Sequence, residues 1–157
     1  MYLNEKICAE CKGKCCKRMP GIYSPSDLGK TKDEMLKNII TGFKAKKFAI
    51  DWYEGDPREG QDKLCSVEYV RPAIKGIRKL YDPSWGGGEC IFLTDKGCKL
   101  APEKRPYQCR MLEPHKKHCI SHDYKDKAEA ARDWIPFAQL IKDAAQAVGE
   151  IKIKEEG

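Results

Sequence analysis

The spacing of apolar residues changes several times along the chain. In "TKDEMLKNIITGF" the residues Met35, Leu36, Ile39, Ile40 and Phe43 recur at helical intervals and share one face. Thr31, with Glu34 three positions later, supplies a capping-box start for that helix. Just upstream, Ser24 followed by Pro25 and Asp27 marks an earlier helix start, and Gly42 is expected to stop the second one. The period then shortens to two: Phe48, Ile50 and Trp52 alternate with Ala49, Asp51 and Tyr53, which predicts a strand. "EGDPREGQDK" reads as an exposed loop after it, and "LCSVEYV" as a second strand. Gly86, Gly87 and Gly88 lead into the apolar run 90–93, from which "TDKG" turns the chain back to Cys98. That predicts a short hairpin with a cysteine near each end. "APEKRPYQCRML" predicts a brief helical turn interrupted at Pro106. Finally, Trp134, Ala138, Ile141, Ala145 and Val148 fall at helical spacing, giving a C-terminal packing helix over about 133–148. Pro136 is tolerated there because it lies in the first turn.

Helices and short hairpins together predict a small α+β fold. The chain has 157 residues, 41% of them hydrophobic, which suffices for one domain over 1–157 with a core of its own. There are no repeats and no low-complexity segments. The opening "MYLNEKICAEC" has no apolar run of signal-peptide length, and no stretch approaches the roughly 18 apolar residues of a membrane helix. The expectation is a soluble cytoplasmic protein without a membrane partner.

That compartment bears on the nine cysteines. Cytosolic thiols are kept reduced, so closely spaced cysteines there point to metal ligation or redox chemistry before disulfides. "CAECKGKCC" holds Cys8, Cys11, Cys15 and Cys16; Cys90, Cys98, Cys109 and Cys119 follow at intervals of eight, eleven and ten residues. A C-x-x-C pair lets two sulfurs converge on one ion, which suits zinc, at about 2.3 Å per sulfur, or an iron–sulfur cluster. The adjacent Cys15 and Cys16 diverge, so they suit two neighbouring metals or two corners of a cluster. Gly13 offers the backbone freedom to wrap such a centre. Cys65 stands alone in an apolar setting and is read as a small buried side chain. His115 and His118, in the basic run "HKKHC", are read as exposed and left out of the ligand set.

The two cysteine segments, 8–16 and 90–119, together resemble the CxxCxxCC cysteine-cluster family, the YkgJ-like zinc- or iron-chelating proteins. That pattern joins an N-terminal cysteine cluster to C-x-F-L, G-C and R-P-x-x-C-R elements. They are matched by Cys90 before Phe92 and Leu93, by Gly97 with Cys98, and by Arg105, Pro106, Cys109 and Arg110, with Cys119 beyond. The resemblance covers about a quarter of the chain, and it departs from the pattern where Lys12, Gly13 and Lys14 stand in place of two spacer residues. It implies metal chelation without naming a substrate. Arg105 and Arg110 would then be cofactor-binding residues, donating to ligand thiolates and offsetting their charge.

Two zinc ions would use all eight thiolates in closed tetrahedral sites, whereas an iron–sulfur cluster needs only four. The count favours zinc; the adjacent pair favours a cluster. Lys and Arg outnumber Asp and Glu by 30 to 24, but eight thiolates with two divalent ions would bring that +6 close to neutral. The basic balance is therefore weak evidence for nucleic acid. The expected function is metal binding in a structural or carrier role. The alternatives are an iron–sulfur protein assisting protein modification or electron transfer, and a zinc-dependent nucleic-acid module built on "KAKK", "RPAIKGIRK" and "HKKH". No autonomous catalytic motif is present, and "SWGGGEC" matches no nucleotide-binding loop.

Overall fold

The computed structural model describes residues 20–54, 66–83, 87–95, 97–110, 112–113, 120–121 and 127–149. The expected loop after the first strand, the lone Cys65 and the whole of the first cysteine-bearing segment, 8–16, lie outside these residues. Within them, helices combine with three two-stranded antiparallel sheets in a mixed α+β fold.

Helix α1 (Lys32–Lys44) begins where Thr31 Oγ1 accepts the Glu34 N–H at 3.2 Å. The Glu34 carboxylate accepts from Lys30 N–H at 3.0 Å, one residue earlier than a strict capping box. Met35, Ile39 and Phe43 are buried, as their spacing predicts. Gly42 does not stop the helix. It lies inside the last turn, where a Cβ would overlap the Phe48 ring. The stop is at Lys46, whose φ of 59° is left-handed. Lys46 N–H donates to Phe43 O at 3.1 Å and Lys47 N–H to Gly42 O at 2.9 Å, the pairing of a Schellman cap. The upstream Ser24–Pro25 start yields only a 3₁₀ turn, Pro25–Asp27.

Strands β1 (Phe48–Glu54) and β2 (Ser66–Pro72) pair with Ile50 opposite Val70 and Asp51 opposite Tyr69. The alternation expected along β1 fails at its centre, because Ala49, Ile50 and Asp51 are all buried. The other edge of β1 is occupied as well: Ile50 N–H donates to Leu80 O at 2.7 Å, and Asp82 N–H donates to Ile50 O at 2.9 Å. Arg71, fully buried, ties the three segments together. Its Nε meets Asp51 Oδ2 at 3.1 Å, its Nη2 meets Asp82 Oδ2 at 2.9 Å, and its Nη1 donates to Pro72 O at 2.9 Å. Such a cluster is tolerable in the interior only because every charge is paired and hydrogen-bonded.

The predicted hairpin is present as β3 (Leu93–Thr94) and β4 (Gly97–Cys98), with Leu93 opposite Cys98. A 3₁₀ turn, Pro102–Lys104, precedes Pro106, and helix α2 (Tyr107–Arg110) follows it. A third ribbon, β5 (Leu112–Glu113) with β6 (Ile120–Ser121), was not legible in the hydrophobic pattern. The C-terminal helix is broken where one span over 133–148 was expected. Helix α3 (Lys127–Arg132) ends before a 3₁₀ turn, Ile135–Phe137, and α4 (Ala138–Ala147) restarts after it. Pro136 has no N–H for the Arg132 carbonyl, so a continuous helix is not possible there. Trp134, Ile141 and Ala145 are buried as their spacing predicts, together with Leu140 and Ala144, and Val148 packs against the core, while Ala138 is exposed. Helices α1 and α4 pack on each other, and both touch the β1–β2 ribbon, with Trp134 fully buried among them. No described helix is long and apolar enough to cross a membrane.

Candidate functional site

Three of the eight proposed ligands, Cys90, Cys98 and Cys109, fall within the described residues. Cys8, Cys11, Cys15, Cys16 and Cys119 lie outside them, as do His115 and His118. Each of the three is held by a different device. Cys90 sits where the chain leaving β2 is met by a returning segment: Lys75 N–H donates to Glu89 O and Ile91 N–H to Ala73 O, both at 2.9 Å. Cys98 is the last residue of the β3–β4 hairpin. Cys109 rides on α2, whose first N–H, at Tyr107, donates to Asp27 Oδ2 at 2.8 Å.

Asp27 thereby does more than cap the turn before it. The same carboxylate accepts Ser24 N–H at 2.8 Å and pairs with Arg110 Nη2 at 2.7 Å. Gln108 extends the attachment, since its side-chain oxygen accepts Ile22 N–H at 2.7 Å across 86 residues of sequence. Segment 21–27 is consequently laced to α2. At Gly21 the approach is closest: a Cβ there would stand 2.7 Å from Cys109 Sγ. Only glycine admits the sulfur at that distance.

Tyr23, next along the same segment, is anchored to the core. Its N–H donates to Val70 O at 3.1 Å, its carbonyl accepts the buried Trp134 Nε1–H at 2.7 Å, and its ring packs 5.0 Å from that of Phe48. Burial pushes its phenol far above the ordinary range, and the negative charges of Cys109, Cys90, Asp27 and Cys98 raise it further. Cys90 is pushed up to about 11, first by burial and then by the Cys98 thiolate; the Phe92 backbone hydrogen bond, Arg71 and Lys75 oppose the rise. A buried thiol of this kind stays protonated at neutral pH unless a cation joins it.

Arg105 and Arg110 reach protein oxygens. Arg105 is buried and donates from Nε to Leu100 O at 3.0 Å, while Arg110 Nη1 donates to Arg105 O at 2.6 Å in addition to its Asp27 pair. Both therefore hold the loop and helix around Cys109 in shape. Tyr23, Asp27 and Gln108 were missed as site residues in the sequence; the only signal was that Asp27 and Gln108 are polar residues beside a cap and a cysteine. Among the described residues no three His, Cys, Asp or Glu side chains converge as a metal site. The described thiols are soft donors, of the kind that zinc and iron–sulfur centres use. No protein-family model, curated protein or solved structure matches the chain.

Proposed function

We propose that the chain is a cysteine-cluster metal protein of the reducing cytoplasm, as its resemblance to the YkgJ-like chelating proteins implies. Cys8, Cys11, Cys15, Cys16, Cys90, Cys98, Cys109 and Cys119 are its ligands, and zinc in a structural or carrier role is favoured by their number. The observation that supports this reading is the close approach of Gly21 to Cys109 Sγ, with Gln108 bonded to Ile22 beside it. Cys16 is five residues before Gly21. Cys119 is covalently next to Ile120, which pairs with Glu113 just beyond α2. The adjacent Cys15 and Cys16 favour the second reading, an iron–sulfur cluster assisting protein modification or electron transfer.

Elemental analysis of anaerobically purified protein, with its visible absorption spectrum, tests the proposal. Bound zinc without colour supports the first reading, and a brown protein holding iron and sulfide the second. Protein holding neither metal would contradict both.

A further inference from the structure

Two basic runs distant in sequence meet on one face. Lys44 ends α1, Lys46 and Lys47 follow it, and Lys75, Arg78 and Lys79 follow β2; all six are exposed. Ala73 N–H donates to Lys47 O at 2.8 Å, which brings the runs together. Between them is a shallow groove whose floor is Phe43, Phe48, Leu80 and Val148 and whose rim carries Lys46, Arg78 and Lys79. Among the described residues no acidic side chain lines it. At its edge stands Ile77, 42% exposed, the single large apolar side chain so exposed among the described residues. Ile77 is held there by a tight turn: its N–H donates to Ile74 O at 3.1 Å, and Gly76 takes the φ of +83° that the turn requires. Glu89, paired with Lys75 at 3.5 Å, is the described acidic counterweight nearby.

We infer that this face docks an acidic protein segment, one apolar side chain of which seats beside Ile77 while flanking carboxylates meet Lys46, Lys47, Arg78 and Lys79. The cationic rim selects an anion. The exposed Ile77 selects a protein over a nucleic acid, because phosphate backbones have no aliphatic group to cover it and no exposed aromatic ring is present among the described residues to stack a base. An apolar centre within a charged rim is the arrangement in which the centre supplies affinity and the rim supplies steering. The Ile74 backbone bridges to Cys90, so the partner would sit beside the cysteine site. The inference does not depend on what that site binds.

The probe is a fluorescein-labelled peptide with one leucine between two short runs of glutamate, titrated with the full chain and read by anisotropy. Binding is expected to weaken with added salt. The double variant Arg78→Glu, Lys79→Glu is expected to raise the dissociation constant roughly tenfold or more, and Ile77→Ser roughly fivefold. All three substitutions are at exposed positions, and an unchanged melting temperature confirms that the variants fold. The inference is overturned if the peptide with serine for leucine binds equally well, if an oligouridylate of the same charge binds more tightly, if the variants bind as the parent does, or if no peptide binding is measurable.

Discussion

At Gly42 two physical effects of opposite sign compete. In an exposed helix interior, alanine is better than glycine by about 1 kcal/mol. Here the Phe48 ring occupies the space a Cβ needs, and forcing a methyl into packed surroundings costs about 1–3 kcal/mol. Gly42→Ala should therefore lower stability in urea denaturation by about 1–2 kcal/mol; a gain would mean that the ring moves aside freely. Glu68 offers a pH-dependent case. Its carboxyl is pushed above the ordinary glutamate range by burial, which outweighs the attraction of Lys142 on α4. The folded state holds this proton more tightly than the unfolded chain, so its stabilising contribution is full at acid pH and is lost as pH rises through the folded pKa. Glu68→Gln should thus melt higher than the parent at neutral pH, and the difference should close near about pH 4. A difference that is equal at both pH values would contradict this assignment.

Helix α2 is four residues long and cannot hold itself, since nucleating one turn costs more than its hydrogen bonds return. Asp27 and Gln108 fix it instead. Asp27→Asn removes the charge from three contacts at once and should cost about 1.5–3 kcal/mol, measured as a shift in the urea midpoint at constant slope. A cost below about 0.5 kcal/mol would show that the tie is ornamental. These attachments also mark what the sequence could reveal. The face and start of α1 were legible because caps and helical spacing are local. The broken C-terminal helix was half legible: its core-facing residues followed the apolar period, but Pro136 divides the helix in two. The Arg71 cluster was hidden, since Asp51 lies 20 positions from Arg71 and occupied what looked like the outer face of an alternating strand. Likewise, Cys90, Cys98 and Cys109 stand out in the sequence as candidates only, whereas Asp27 reaches Tyr107 across 80 residues and only folding reveals it.

For the whole molecule, the hydrophobic cluster of α1, the β1–β2 ribbon and the C-terminal helices forms a frame, and the described cysteines lie along segments attached to that frame by backbone bridges and side-chain ties. Such attachments place thiols without supplying the charge neutralisation that eight thiolates would need; in the proposed centre a bound cation would provide it, and its binding would be coupled to folding. The proposed centre joins the N-terminal cluster to the downstream cysteines through Cys109. The most direct measurement is metal content per chain in anaerobically purified parent, Cys109→Ser and Cys65→Ala proteins. The account predicts a metal-bearing parent, a clear loss of metal in Cys109→Ser, and parental stoichiometry in Cys65→Ala. Retention of metal by Cys109→Ser together with its loss from Cys65→Ala would contradict it.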